Sequence, residues 1–199
     1  VLGAAPGVVQ TITGSSAHRG CLGLFARPDS PSPAEVLANR RTVVVTEGVS
    51  NPVNLGLIAR SAVGMGAEAL LVDPDSADPL YRRASRVSMG EVFVVPHVRL
   101  AALPVGLEPL RAAGFTLLAL TPAADAVDIA ELPVGADEPV ALVVGAEGPG
   151  LSEATELAAD VRVRIPLSGG VDSLNVGAAA AVAAYALGRA ARLAFPIPP

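Results

Sequence analysis

From Thr42 onward, short aliphatic and β-branched runs alternate with stretches of helical period, and this alternation constrains the fold more than any other feature of the chain. The runs are TVVVT, ALLVD, VFVVPHV, FTLLALT, ALVVG and VRVRI, parted by helical segments or turn residues. Strands that are apolar along much of their length, rather than on alternate residues, are buried on both faces. Divided by helices, they predict an α/β fold, doubly wound, in which a parallel sheet is covered by helices on both faces. Ligands of such sheets lie outside the carboxyl ends of the strands, so the loops leaving TVVVT, ALVVG and VRVRI carry the search for a site.

Residues 1–40 read differently. GVVQTITGSSAHRG and RPDSPSPAEVLANR are rich in Gly, Ser and Pro, and predict a linker around one short apolar strand, Cys21 to Ala26. The 199 residues suffice for one complete core, and no apolar run approaches the roughly 18 residues needed to span a bilayer. A formal charge of −5 argues against a wide basic footprint for nucleic acid. All 14 cations are Arg and Lys is absent, which in an Ala-rich chain is more often the mark of a GC-rich genome than of a phosphate site. A single cysteine, Cys21, has no internal disulfide partner and predicts a reducing, cytoplasmic setting.

After TVVVT comes EGVSNPVNLGLIARSAVGMGA, where Asn51 is a good N-cap and Pro52 suits the first helical position. Asn54 then falls in the first turn and Arg60 in the second. Gly56, Arg60 and Gly64 recur every four residues and share one helix stripe. The stripe fits close packing on a neighbour, or small residues that leave Arg60 room for a substrate. After ALVVG comes AEGPGLSEATELAA, a glycine turn that carries Glu147 and runs into a helix capped by Ser152. Bare backbone between a strand and a helix invites a nucleotide or a cofactor. After VRVRI comes IPLSGGVDSLNVGAAAAVAAYAL, where Asp172, Ser173 and Asn175 precede a helix of small residues. Three strand exits thus send Asn54 and Arg60, Glu147, and Ser173 and Asn175 towards one rim.

Other signals point elsewhere and carry less. GMGAEA fits a dinucleotide fingerprint, but it follows a helix and precedes a strand, so its glycines are expected to end the helix. His18, His97 and Cys21 make no zinc spacing, and no metal is expected. His97 reads as a structural residue at a strand end. Tyr81 with Arg82, Arg83 and Arg86 reads first as a solvated helix face, with phosphate contact as the alternative.

Together, NPVNLGLIARSAVGMGA, VVGAEGPGLS and IPLSGGVDSLNVGAAAAVAAYAL resemble the three motifs of the SpoU, or TrmH-like, branch of the SPOUT methyltransferases, over about residues 42–190. The resemblance implies a SPOUT fold whose C-terminal segment forms a deep trefoil knot. It implies S-adenosyl-L-methionine as cofactor, an RNA substrate, rRNA or tRNA, methylated on a ribose 2′-oxygen, and a homodimer. The family's backbone contacts to the cofactor correspond to Gly145, Ile165 and Leu174, with Thr121 nearby. Its polar catalytic set corresponds to Asn54, Arg60, Glu147, Ser173 and Asn175. Gly177 departs from the pattern, since many relatives have Ser there. The HRG at His18 to Gly20 resembles a family junction, so residues 1–40 are expected to be the end of an N-terminal RNA-binding domain and 41–199 the catalytic domain. Residues 1–199 alone are then expected to bind RNA weakly.

A reactive sulfonium methyl requires neither metal nor covalent nucleophile. What the protein must supply is an oriented 2′-hydroxyl, relief of its proton, and stabilisation of the developing alkoxide. Arg60 suits the electrostatic part better than that of a base, because a guanidinium stays charged and gives up its proton reluctantly. Glu147 and Asn54 suit orientation. Two other readings compete: a SPOUT-fold RNA-binding protein without transfer activity, and a nucleotide-dependent oxidoreductase that rests only on GMGAEA.

Overall fold

The structure is a computed structural model and describes residues 3–13, 23, 25–132, 138–169 and 171–194. Among the described residues seven strands form one parallel sheet: β1 (Thr42–Thr46), β2 (Ala69–Val72), β3 (His97–Arg99), β4 (Thr116–Leu120), β5 (Val127–Asp128), β6 (Val140–Val144) and β7 (Val161–Arg164). Their order is β3-β2-β1-β6-β4-β7-β5. β6 therefore lies between β1 and β4, and β7 between β4 and β5. Every pairing is parallel, so Thr46, Leu120, Val144 and Arg164 end on the same edge.

The helices are α1 (Pro6–Thr13), α2 (Pro33–Leu37), α3 (Pro52–Gly64), α4 (Arg82–Val87), α5 (Glu108–Ala112), α6 (Glu153–Ala158) and α7 (Val176–Ala194). Alternate strand residues face opposite layers. Val44, Leu70, Leu118, Leu142 and Val163 pack with Leu55, Ile58 and Ala62 of α3 and with Ala180, Ala183 and Leu187 of α7. On the other face Val43, Val45, Leu71, Leu117 and Val143 pack with Val36 and Leu37 of α2 and with Leu110 of α5. The predicted sheet with helices on both faces is the one observed. Among the described residues no helix is long and apolar enough to cross a membrane.

The helix signals of the central segment act as expected. The Asn51 side chain accepts from Val53 N–H at 2.9 Å, with Pro52 opening α3. α3 ends where GMGAEA begins: Gly66 has φ +112° and donates to Val63 O, while Ala67 donates to Ala62 O. These two bonds satisfy the last carbonyls of the helix, which is the terminating role those glycines were expected to have.

Two expectations are corrected. Residues 1–40 are not simply a linker around a strand, because α1 and α2 lie within them. Ser32 and Glu35 bond reciprocally, Glu35 Oε2 accepting from Ser32 N–H at 2.7 Å and Ser32 Oγ from Glu35 N–H at 3.3 Å. This capping box starts α2 and brings Val36 and Leu37 into the core. Of the expected strand, Gly23, Phe25 and Ala26 are in no strand; Cys21, like His18 and Gly20, lies outside the described residues. The second correction concerns VFVVPHV, which holds a single 3-10 turn, Glu91–Phe93, before the short β3. Gly90 at φ +94° sets up that turn, and Pro96 has no N–H for a ladder. His97 opens β3, its Nδ1 3.1 Å from Val95 O, consistent with a structural strand-end role.

Buried polar side chains shape the loop that leads into α3. Asp73 Oδ1, at the end of β2, accepts from Gly48 N–H at 3.1 Å and Ser76 N–H at 2.9 Å. Ser76 Oγ accepts from Thr46 Oγ1 at 2.9 Å and from Val49 N–H at 3.0 Å. A fully satisfied network of this kind holds one backbone conformation, and here it fixes where Asn51 starts α3. On the far side Arg162 of β7 pairs with Asp125, and Arg164 Nε donates to Ala126 O at 3.0 Å. The Arg162 hydrogen bond and charge hold the Asp125 carboxyl below the usual carboxylate range. The loop after β4 is thereby tied down beside the carboxyl edge.

Candidate active site

At the carboxyl edge of β4, β6 and β7 a cavity of about 370 Å³ opens, within the size range of small-ligand clefts. Its apolar walls include Leu120, Val144, Ile165, Leu167 and Leu174; Thr121, Glu147, Ser173 and Asn175 supply polar atoms. The cavity brings together all four residues expected at the cofactor, Thr121, Gly145, Ile165 and Leu174.

One wall is the turn after β6, and Gly145 makes that turn possible. A Cβ on Gly145 would lie 2.1 Å from Gly150 C and 2.2 Å from Leu151 N, both backbone atoms. Across this close approach Ala146 and Gly150 exchange N–H to O bonds of 3.1 and 3.0 Å. Gly148 and Gly150, at φ +96° and +76°, close the turn.

Three segments that are distant in sequence join at the mouth. Asn54 Nδ2 donates to Glu147 Oε2 at 2.9 Å, and Asn175 Nδ2 donates to Glu147 Oε1 at 3.2 Å and to Asn54 Oδ1 at 3.1 Å. Asn175 Oδ1 meanwhile accepts from Gly177 N–H at 3.0 Å and Ala178 N–H at 3.4 Å, which makes Asn175 the N-cap of α7. Both oxygens of the carboxylate are thus gripped by amides, one amide is locked to a helix end, and Asn54 is 5% exposed. Glu147 itself remains open to solvent and keeps acceptor capacity for a further donor, such as a hydroxyl.

Ser173 lines the cavity without joining this cluster. Arg60 is neither in the cluster nor on the cavity wall. It lies six residues beyond Asn54, about 9 Å along the helix axis and some 120° away around it. It is exposed and forms no hydrogen bond or ion pair among the described residues. Its stripe partner Gly56 packs on α4, where an added Cβ would meet Ala84 O at 2.7 Å. Close packing therefore accounts for Gly56, whereas Arg60 has the open space of the other reading.

Glu47 was not singled out from the sequence. It follows β1 directly; its Oε2 accepts from Ser152 N–H at 2.9 Å, and its Oε1 accepts from Ser152 Oγ at 2.9 Å and Thr155 Oγ1 at 2.7 Å. It thereby anchors the far end of the glycine turn and the start of α6. An acid at a central strand exit is a visible signal, but its partner lies 105 residues away. Among the described residues no group of three or more His, Cys, Asp or Glu side chains could hold a metal.

Gly177, where the sequence departs from the motif, sits where α7 crosses α3. An added Cβ would be 2.7 Å from Leu57 Cβ and 3.1 Å from Asn175 Oδ1. The substitution Gly177→Ser is accordingly expected to destabilise the fold by about 1–3 kcal/mol through overpacking. Urea unfolding would check this, an unchanged midpoint showing that the helices part without penalty.

The SpoU rRNA Methylase family model matches residues 41–185, which include every residue of the cluster and the cavity wall. An uncharacterised tRNA/rRNA methyltransferase of Mycobacterium tuberculosis is 48% identical over 183 residues, 92% of this chain and 64% of the relative. The chain thus spans somewhat less than two thirds of that relative's length. A Bacillus subtilis 23S rRNA guanosine-2′-O-methyltransferase is 34% identical, covering 78% of this chain and 61% of its own. The crystal structure of an AdoMet-bound rRNA methyltransferase from Sinorhizobium meliloti superposes with a TM-score of 0.83 at 30% identity, over 93% of this chain and 70% of that one. Sheet, glycine turn and amide-gripped carboxylate are thus those of a chain that belongs to the SpoU rRNA Methylase family.

Proposed function

We propose that the protein methylates a ribose 2′-hydroxyl of ribosomal or transfer RNA, with S-adenosylmethionine as donor. The observation that carries the reading is the Asn54–Glu147–Asn175 cluster held at the mouth of a cavity walled by the Gly145–Gly150 turn. Similarity to 2′-O-methyltransferases and to an AdoMet-bound structure supports it. The cavity suits this cofactor: Leu120, Ile165 and Leu174 offer apolar surface for a base, the bare turn offers backbone, and the Glu147 carboxylate favours a nearby cation.

When bound, S-adenosylmethionine supplies a methyl group activated by the positive sulfur. The chain's residues do the rest by placement and charge. Glu147, with its rotamer fixed by two amides, accepts a hydrogen bond from a ribose hydroxyl, so orients it, and gives the departing 2′ proton an acceptor open to solvent. Asn54 and Asn175 hold Glu147; Ser173 and the backbone of Gly145, Ile165 and Leu174 hold the cofactor. Arg60 stabilises the developing alkoxide or an adjacent phosphate as a fixed cation. The reaction belongs in the cytoplasm, with its RNA. In this reading the C-terminal segment forms the trefoil knot, supported by the late strands β6 and β7 lying inside the sheet rather than at its edge.

Arg60 points along a stripe away from its own cavity, as expected if two copies complete each other's sites across a twofold axis. The outer face of α7 supports a homodimer, since Ala178, Val182 and Tyr185 make an exposed apolar stripe. Light scattering at micromolar concentration is expected to give twice the 19.9 kDa of the chain; a monomer would contradict it.

The reading is tested by incubating the protein with methyl-labelled S-adenosylmethionine and bulk rRNA and tRNA. Transfer of label to RNA is the expected result. Binding of cofactor and RNA without transfer would leave an RNA-binding protein that shares only the fold.

A further inference from the structure

The chain is acidic overall, yet among the described residues three exposed arginines without a side-chain partner lie on two packed helices. Arg27, Arg99, Arg111, Arg162 and Arg164 each bind a carboxylate or a backbone carbonyl. Arg60 on α3 and Arg83 and Arg86 on α4 are exposed and form no hydrogen bond or ion pair among the described residues. Between Asp78 and Glu91 there is no acidic residue. α4 docks on α3 at Gly56, where an added Cβ would lie 2.7 Å from Ala84 O and 3.0 Å from Val87 Cβ. Gly56 is two residues beyond Asn54, about 3 Å along the axis but roughly 160° away around it, so the basic helix packs at the level of the turn that carries the cluster, on the opposite side of α3.

Aromatic surface borders the same helix. Tyr81 immediately precedes α4 and is 57% exposed, and Phe93, in the 3-10 turn that follows, is 69% exposed. Left-handed Met89 and Gly90 reverse the chain between α4 and that turn. Arginines without acidic partners attract phosphates, and exposed rings beside them are platforms on which unpaired bases stack. A solvated helix face accounts for the arginines alone; it does not account for two large rings left in water beside them.

Building on the proposed function, we infer that α4 and its flanks form a docking surface for an unpaired segment of the substrate RNA, on the side of α3 away from the cavity mouth. Arg83 and Arg86 contact phosphates, and Tyr81 and Phe93 stack on bases. The surface carries positioning, while the Asn54–Glu147–Asn175 cluster carries the reaction.

The test compares wild type, the double variant Arg83→Gln/Arg86→Gln, Phe93→Ala, and a control, Arg111→Gln, whose residue pairs with Asp160. A short fluorescein-labelled single-stranded RNA is titrated by anisotropy at several low salt concentrations, and S-adenosylmethionine binding is measured in parallel. Loss of two phosphate contacts should weaken RNA binding on the order of tenfold and flatten the log–log salt slope by about 1.4. Phe93→Ala should weaken binding several-fold with the slope unchanged. Cofactor affinity should stay at the wild-type value in every variant, and the control should match wild type throughout. Wild-type RNA affinity and salt slope in the double variant would overturn the inference while leaving the methyltransferase reading intact. A change of mass by light scattering with RNA affinity retained would overturn it in favour of a protein interface. If wild type binds neither RNA nor cofactor, the proposed function fails, and the inference with it.

Discussion

The substitution Arg60→Ala is expected to lower the rate of methyl transfer by roughly 10²–10³-fold, the usual effect of removing one group that stabilises developing charge. Cofactor affinity is expected to stay within a few-fold of wild type. The split follows from the geometry. Arg60 contributes no atom to the cavity wall and bonds neither Glu147 nor either asparagine, so its loss leaves the cofactor's surroundings and the cluster as they were. It is exposed, so truncation opens no cavity in the core. A loss of activity must then reflect the reaction itself, and a single-turnover rate at saturating RNA and cofactor would show it. Full activity would remove Arg60 from the mechanism. Lost cofactor affinity would mean that Arg60 supports the cavity.

The substitution Gly145→Ala is expected to act the other way, on the cofactor first. The added methyl would overlap the backbone of Gly150 and Leu151, and no flexible side-chain end is there to yield. Relief requires the turn to open, which breaks the paired bonds between Ala146 and Gly150 and displaces Glu147. Losing roughly 2–3 kcal/mol of such interactions corresponds to roughly a hundredfold in affinity. Calorimetric titration with S-adenosylmethionine would read the loss. Far-ultraviolet circular dichroism should remain that of a folded α/β protein, because the sheet is anchored by strands outside the turn. Cofactor binding at wild-type strength would contradict the role given to this turn.

How much of this was legible in the sequence depended on distance along the chain. Asn51 with Pro52 and Ser152 with Thr155 act within a few residues, so the starts of α3 and α6 could be read directly. The same local logic was available in Ser32 and Glu35, where the abundance of Pro and Ser obscured a capping box. VFVVPHV misled because an apolar run has no direction of its own; Gly90 and Pro96 turned it into a 3-10 turn and a short strand. The contacts of the site span 93, 121 and 28 residues. Nothing in Asn54 or Glu147 alone says that they bond; as residues at the exits of parallel strands they were expected on one rim, the known motifs grouped them as a set, and the strand order, with β6 beside β1, brings them together. Arg60 was grouped with Asn54 because both follow β1, but helix geometry turns it away from the cluster. Leu120, Pro122 and Leu167 were not found at all, since an apolar residue lining a cavity is written no differently from one covering a core.

The central claim is that the methyl group goes to the ribose 2′-oxygen, and the position of the label tests it most directly. RNA labelled by the protein would be hydrolysed to completion in alkali, where cleavage of each phosphodiester requires the free 2′-hydroxyl beside it. A 2′-O-methyl group blocks that attack. The account predicts that the label appears in alkali-resistant dinucleotides; label confined to mononucleotides would place the methyl group on a base and contradict it.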